Sequence, residues 1–355
     1  MHKKKNLGLW LSLLIILSII AVPIPALTKV LALALLVGGV VFWKRSILFY
    51  IQANRHLIKK DSAVWEKAWP LYQRAIKSGL QPAYRITAAS MYIQRGDAKV
   101  GKQIIEEYLA DQNKKEDKAL VNIAKTMVSM VYWLEGDLDK AFVAVKEVFD
   151  SGYRDKNLFI NFGTYALEKG DLPMARILIK EGSHYEKESP GIHDNRGWLE
   201  LLEGRWDEAN QTYTNLTSKG PAFPEPYLHA AQVKVHYGKV GEALALLDRA
   251  IASRFSNTTS IQRQNVIELK QRLENPRTRR IAALEIDQNT ALVASGKLPL
   301  ELANTYAEET ALELTGFAAE PKKPKAARKQ EEDDYTPNTE LTEADLEYAR
   351  KHEQP

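Results

Sequence analysis

The sequence contains no cysteine, which excludes disulfide bonds and thiolate metal sites. It also lacks acidic residues at its start: residues 1–60 hold nine of the 49 Lys and Arg side chains and none of the 45 Asp and Glu. The other 295 residues carry 40 basic against 45 acidic side chains, so the net charge of +4 comes from the N-terminal segment. A nucleic-acid-binding protein is expected to carry its basic excess on a folded domain. The sequence therefore argues against nucleic acid as a partner.

Motifs that carry chemistry are also missing. The chain has no His-Glu-x-x-His, no Gly-x-Gly-x-x-Gly and no phosphate-loop motif. Of its seven histidines, His229 and His236 share a helix face, but two turns separate them by roughly 10 Å, too far to bind one metal ion. We therefore expect no catalytic site, no metal site and no cofactor, and we expect that the protein is not an enzyme.

A long apolar segment follows the N-terminal lysines. Residues 7–43 are almost wholly apolar, interrupted by Pro23, Pro25 and Lys29. Because one helix needs about 20 apolar residues to cross a bilayer, this segment is too long for one span. It predicts two spans, 7–22 and 27–43, joined by a turn at the prolines. The alternative is a signal peptide cleaved after Ala26 and a single remaining anchor, although Ile24 occupies the position where cleavage favours a small residue.

The distribution of basic residues predicts the orientation of this anchor. Three lysines precede the first span, five basic residues follow the second, and only Lys29 lies between them. Because positive residues favour the cytoplasmic side, both ends of the hairpin are expected to face the cytoplasm. This layout predicts a multi-pass protein of a bacterial inner membrane, with the lipid bilayer as a partner and the remaining chain in the cytoplasm.

The strongest pattern is a 34-residue period. Four glycines recur at this spacing, each with an alanine five residues later: Gly136, Gly170, Gly204 and Gly238. Seven residues before each glycine stands a small residue, namely Ser129, Gly163, Gly197 and Ala231. In these features the sequence resembles the tetratricopeptide repeat (TPR) family, whose unit is a helix-turn-helix of 34 residues. Gly96 is a further hinge, and its distance of 40 residues to Gly136 predicts an insertion within 111–117.

The resemblance implies an all-α fold, a TPR α-solenoid of about five to six repeats. Its domain of residues 48–275 follows the membrane anchor of residues 1–47. The expected repeats are 48–81, 82–115, 122–155, 156–189, 190–223 and 224–257, with a capping helix at 260–274. A cap is expected because each repeat buries its apolar face only against a neighbour.

Residues 276–355 are expected to form a helical and partly disordered tail. A basic run at 321–330 is followed by four acidic residues, a composition that favours a flexible linker. Beyond it, Thr342 and Asp345 fit a helix cap and Leu341 with Leu346 a hydrophobic staple. This short helix is either a frayed terminus or a docking motif for a partner or for the protein's own groove.

In the TPR family, ligands commonly lie along the concave face formed by the first helix of each repeat. The equivalent positions here combine aromatic, apolar and amide side chains, which suit a peptide; they are Thr126, Met130, Trp133, Asn157, Thr164, Asp194, Trp198, Leu201, Gln232 and His236. The alternative is that Trp133 and Trp198 only pack between adjacent helices.

The resemblance thus implies a membrane-tethered scaffold or adaptor that binds a protein or peptide partner, in the assembly or regulation of a membrane-associated complex. Two alternatives stay open. One is a regulator whose C-terminal helix occupies its own groove. The other is an accessory subunit of a membrane enzyme or transport system. Self-association is also open, because a repeat array fixes no single partner.

Overall fold

The computed structural model describes residues 25–59, 62–111 and 117–296, together with Ser18, Ala21 and Pro23. Every regular element among these residues is a helix, which confirms the all-α prediction. The helices are α1 Ala26–Trp43, α2 Arg45–Leu57, α3 Ser62–Trp65, α4 Ala68–Lys77, α5 Pro82–Arg95, α6 Ala98–Ala110, α7 Lys118–Leu134, α8 Leu138–Asp150, α9 Lys156–Lys169, α10 Leu172–Tyr185, α11 Pro190–Leu202, α12 Trp206–Ser218, α13 Glu225–His236, α14 Val240–Ala252, α15 Arg263–Glu274, α16 Pro276–Gln288 and α17 Thr290–Ala294.

The chain divides into two compact units, Met1–Ala88 and Ala89–Pro355. In the first unit, α1 is 18 residues long and buries no side chain. It is the one helix among the described residues that is long and apolar enough to cross a membrane. The described residues thus give no support to a two-span hairpin. The other predicted span, 7–22, lies outside them apart from Ser18 and Ala21.

A single residue, Lys44, divides α1 from the helix that follows it, and its backbone N–H still donates to the carbonyl of Val40 at 2.9 Å. α2 then packs against α4 through buried Tyr50, Ala53 and Tyr72. The Tyr72 hydroxyl donates a hydrogen bond to Asn54. Aromatic and small residues at helical spacing therefore build a helix pair within the predicted repeat 48–81.

In the second unit, the glycine period marks the turns within the helix pairs. The hinge glycines 136, 170, 204 and 238 all have a positive φ; for Gly170 it is +74°. Glycine adopts this backbone conformation without the steric cost of a Cβ, so it ends one helix and turns the chain into the next. Asp171 follows directly, and its carboxylate accepts a hydrogen bond from the Met174 N–H at 3.1 Å, which caps the second helix.

The small residues of the period lie where helices touch. A Cβ added to Gly197 would lie 2.5 Å from Cζ of Tyr213, so α11 and α12 approach too closely for a side chain there. Gly101 stands where the other repeats have alanine, and a Cβ there would lie 2.6 Å from the carbonyl oxygen of Ala89. Close packing between α5 and α6 therefore explains this departure from the pattern.

The C-terminal part of the described chain packs back on the repeats. Capping helix α15 begins at Arg263 and buries Val266, Leu269 and Leu273 in one core with Leu247 of α14. The next helices, α16 and α17, contact α13, and α17 also contacts α11. The start of the predicted tail is thus part of the folded unit. The linker at 321–330 and the helix at 341–346 lie outside the described residues, as does 112–116 of the predicted insertion.

Candidate functional site

A cleft with an internal volume of about 50 Å³, partly open to solvent, lies along the first helices of the successive pairs. Five of the residues predicted for the groove line it: Met130, Trp133, Thr164, Asp194 and Trp198. Ile160, Asn161, Tyr165, Gly191, Asn195, Phe223, Glu225, Ser256 and 258–260 complete the lining. The repeat positions thus bring half of the predicted set to one cleft.

The two tryptophans each contact the next first helix along the array. The ring of Trp133, on α7, stacks on Tyr165 with 6.1 Å between ring centroids, and its Nε1 donates to Oε1 of Glu168 at 3.1 Å. Trp198, on α11, is 2% exposed and lies 5.4 Å from the ring of His229. Both side chains therefore pack between adjacent helices and also line the cleft.

Amide side chains join α9 to α11 beside the tryptophans. Nδ2 of Asn195 donates to the carbonyl of Ile160 at 2.9 Å, and Oδ1 of Asn195 accepts from the Thr164 hydroxyl at 3.2 Å. These two bonds fix the orientation of the Asn195 amide, which the sequence did not single out. Nδ2 of neighbouring Asn161 is buried without a hydrogen-bond partner in the structure.

A buried charged cluster lies at the other end of the cleft. Nδ1 of His229 lies 2.9 Å from Oδ1 of Asp194 and 3.0 Å from the Tyr213 hydroxyl, while its Nε2 lies 2.8 Å from the carbonyl oxygen of Ala294. Both ring nitrogens face acceptors, an arrangement that favours the imidazolium form. Burial alone lowers the pKa of His229, but the charge and hydrogen bond of Asp194 and the Ala294 carbonyl raise it above its ordinary value.

Glu225 belongs to the same cluster. Burial, and then the charge of Asp194, raises its pKa to about 7. Its Oε1 accepts a hydrogen bond from the backbone N–H of Ser260 at 2.9 Å, whereas its Oε2 is buried without a partner. Glu225 was not expected from the repeat positions.

In the last helix pair, the first helix, α13, is covered by the chain's own C-terminal segment. Nε2 of Gln232 donates to the carbonyl of Thr290 at 3.0 Å, and Nδ1 of His236 lies 3.1 Å from Oδ1 of Asp287. The His236 ring also stacks on Trp206, with the centroids 3.8 Å apart. Gln232 and His236 were both predicted for the groove, and the structure places both against α16 and α17.

The remaining predicted residues lie away from the cleft lining. Thr126 donates its hydroxyl to the carbonyl of Asn122 within α7, at 3.0 Å. Asn157 is buried at the start of α9, and its Oδ1 has no hydrogen-bond partner. Leu201 packs in a core cluster with Tyr213 and Leu216. A helix position that faces the cleft in one repeat thus faces the core in another.

A loop of residues 254–260, which we call the strap, forms part of the cleft wall. Asn257 holds its middle: its backbone N–H donates to the carbonyl of Gln94 at 2.8 Å, and its Nδ2 lies 3.0 Å from the carbonyl of Ile93 and 2.9 Å from that of Gly96. These carbonyls end helix α5, some 160 residues earlier in the chain. No sequence pattern predicts this contact.

Contacts between neighbouring first helices, and between α13 and the loop that follows the last repeat, recur at a separation of 35 residues. Trp133 pairs with Glu168, Ile160 with Asn195, Asp194 with His229, and Glu225 with Ser260. One repeat period plus one residue therefore brings side chains of neighbouring repeats together. This spacing is the signal by which sequence reasoning could have found His229 and Asn195.

Comparison with known proteins gives limited similarity. No family model matches the chain. U-box domain-containing protein 70 of Oryza sativa subsp. japonica is 26% identical over 144 residues, which amount to 41% of this chain and 17% of that protein. The chain thus spans less than a fifth of the length of the curated relative that it matches.

Two solved structures of repeat proteins are also similar. One is YrrB, titled a TPR protein with an unusual peptide-binding site, at 17% identity and a TM-score of 0.36 over 51% of this chain and 90% of that one. The other is a tetratricopeptide repeat protein from Parabacteroides merdae ATCC 43184, at 14% identity and a TM-score of 0.44 over 74% of this chain and 98% of that one. Both TM-scores are below 0.5, so the fold is assigned from the helix pairs of this chain alone.

The helix pairs of this chain have a 34-residue period, hinge glycines in the left-handed conformation and close contacts between helices. These features confirm that the chain has the tetratricopeptide-repeat fold.

Proposed function

We propose that this protein is a membrane-tethered scaffold that binds a peptide segment of a protein partner in the cleft between Trp133 and Trp198. The observation that carries the proposal is the lining of that cleft. It combines two indole rings and Met130 with buried hydrogen-bonding groups, and it opens to solvent. Aromatic faces give contact area at low conformational cost, and polar groups between them fix the backbone of a bound peptide.

The position of the C-terminal helices supports a proposed site that is shorter than the predicted groove. α16 and α17 cover α13, where Gln232 and His236 contact residues 287–290. The proposed peptide site therefore runs over α7, α9 and α11 and stops at the charged cluster. The fold supports binding of proteins or peptides in general; this location is our proposal.

Membrane tethering is the second part of the proposal. α1 is apolar and exposed along its length, and two cation–π contacts stand at its end: Lys44 over Trp43 and Arg45 over Phe42. Aromatic and basic residues are typical of the interface between hydrocarbon and water. Together with the basic flanks, this supports an inner membrane protein whose repeats face the cytoplasm. A tether raises the concentration of a partner near the membrane.

The experiment begins by identifying the partner through proximity labelling by the membrane-bound protein. Capture of that partner is then compared between wild type and Trp133→Ala, because Trp133 is half-buried and its loss removes a cleft wall with limited damage to the core. Trp206→Ala is the matched control, since Trp206 packs on His236 outside the cleft lining. We expect at least about tenfold weaker capture by Trp133→Ala, as for a buried aromatic anchor, and little change for the control. Equal capture by all three proteins at equal helicity would refute the location of the site.

A further inference from the structure

The strap forms part of the same cleft that we propose for a peptide. Its residues Ser256 and 258–260 line the cleft together with Trp133 and Trp198. Its C-terminal end is firmly placed, because Ser260 pairs with Glu225 and the next residue, Ile261, is buried in the core below capping helix α15. Its middle is held differently. Asn257 is exposed and is fixed by the three hydrogen bonds to the carbonyls at the end of α5.

The strap leaves polar groups of the cleft unsatisfied. Three lining residues each have a buried polar atom without a hydrogen-bond partner: Nδ2 of Asn161, Nε1 of Trp198 and Oε2 of Glu225. A buried polar atom that stays unpaired costs roughly a tenfold factor in an equilibrium. An occupant that paired all three atoms would therefore be favoured over the strap alone.

A peptide backbone carries the complementary groups. Its carbonyl oxygens accept from the N–H groups of Asn161 and Trp198, and its N–H groups donate to Glu225. A ligand carboxylate or phosphate would instead meet Asp194 and Glu225, two acidic groups of the same lining. The free hydrogen-bonding groups thus match a neutral, extended backbone.

We propose that the strap is a built-in competitor, and that a partner peptide enters the cleft only when the Asn257 contacts with α5 are released. This inference rests on the proposed peptide-binding function and adds its regulation. The hydrogen bond between Ser260 and Glu225 stays in place as a hinge, because Ser260 lies just before the capping helix. Only strap residues 254–259 move when the Asn257 contacts are released. The apparent affinity for a peptide is then reduced by the fraction of molecules in which the strap is closed.

The test uses two variants of the full chain in detergent. Asn257→Ala removes the side-chain bonds to the Ile93 and Gly96 carbonyls and keeps the backbone bond to Gln94. The second variant, Gly96→Cys with Asn257→Cys, is cross-linked by a short bis-maleimide. The cross-linker reacts only at the two introduced cysteines, because the chain has no cysteine of its own. The two positions are close enough to be joined, since Nδ2 of Asn257 lies 2.9 Å from the Gly96 carbonyl. Asn275→Ala is the control for an exposed asparagine outside the cleft lining.

The probes are synthetic peptides selected from a random library on the wild-type chain and, separately, on Asn257→Ala. Loss of two hydrogen bonds is expected to raise peptide affinity about tenfold in Asn257→Ala. The cross-linked variant is expected to lose binding, while the same variant blocked by a monofunctional maleimide keeps it. Peptides that are selected only on Asn257→Ala would also support the proposal that the strap competes with peptides, because they would bind only after its contacts with α5 are weakened.

Two results would overturn different parts of the proposal. Peptides that bind wild type, Asn257→Ala and the cross-linked variant with equal affinity, yet lose binding in Trp133→Ala, would remove the strap mechanism and leave the proposed function standing. If no peptide is selected on any variant, or if the selected peptides bind Trp133→Ala unchanged, the proposed function fails and the strap inference fails with it.

Discussion

Replacing Glu225 by glutamine tests the buried cluster through its pH dependence. The carboxyl group is buried between Asp194 and the strap, and its pKa rises to about 7 from its ordinary value of 4.5. The folded protein therefore binds a proton on Glu225 over a pH range in which the unfolded chain has lost it. Because the native state binds more protons there, stability falls as pH rises from about 4.5 to about 7.

The size of the effect follows from the shift. A difference of one pKa unit corresponds to about 1.4 kcal/mol, so ionising Glu225 in the folded state costs about 3 kcal/mol at pH 8 and less than about 1 kcal/mol at pH 5. Glutamine has nearly the same shape, does not titrate, and keeps an oxygen to accept from the Ser260 N–H. Glu225→Gln is thus expected to gain roughly 2–3 kcal/mol of stability relative to wild type between pH 5 and pH 8.

The assay is urea unfolding of both proteins at each pH, with equal dependence on urea required before the midpoints are compared. Glu203→Gln is a control of opposite sign. Burial alone raises the pKa of Glu203, but hydrogen bonds from Arg176 and Arg205 lower it overall, so its carboxylate contributes stability at high pH that is lost as pH falls through the folded pKa. A difference between Glu225→Gln and wild type that stays constant with pH, or a variant less stable than wild type at pH 8, would refute the reasoning.

Two further predictions concern packing and the C-terminal segment. Gly197→Ala places a methyl group 2.5 Å from Cζ of Tyr213, and overpacking of this kind is expected to cost about 1–3 kcal/mol of unfolding free energy, measured by the urea midpoint; an unchanged midpoint would show that α11 and α12 separate freely. His229→Gln removes the buried contact with Ala294, so hydrogen exchange of residues 276–296 is expected to accelerate at least about tenfold. His236→Gln, which loses a more exposed contact, should change hydrogen exchange little. Equal exchange rates in both variants would show that His229 does not stabilise the packing of residues 276–296.

The 34-residue period predicted the repeat fold because it reports local backbone requirements. Gly170 must adopt a left-handed conformation, and Gly197 must leave room for a neighbouring helix. Both demands act within one helix pair and recur in each repeat, so they are visible in the sequence. The same repeat positions placed Trp133 and Trp198 at the cleft, since those positions define the first-helix face.

Other features depend on contacts that no local pattern records. Gln232 occupies a groove position by repeat register, yet it contacts Thr290 because a segment of only moderate helical pattern folds back on α13. Leu201 shares the predicted face, but packing with Tyr213 draws it into the core. The Asn257 contacts join residues far apart in sequence through backbone carbonyls, which have no side-chain signature.

The separation of 35 residues explains why the strap lies where it does. Asp194 pairs with His229 one period plus one residue later, and Glu225 pairs with Ser260 at the same separation. Ser260 thus stands where the first helix of a further repeat would begin, but the chain reaches that register through a loop. A helix there would satisfy its own backbone groups, whereas a loop must find partners elsewhere. The strap finds them at the end of α5, so the same break in the repeat pattern that ends the array also places a competitor in the wall of its cleft.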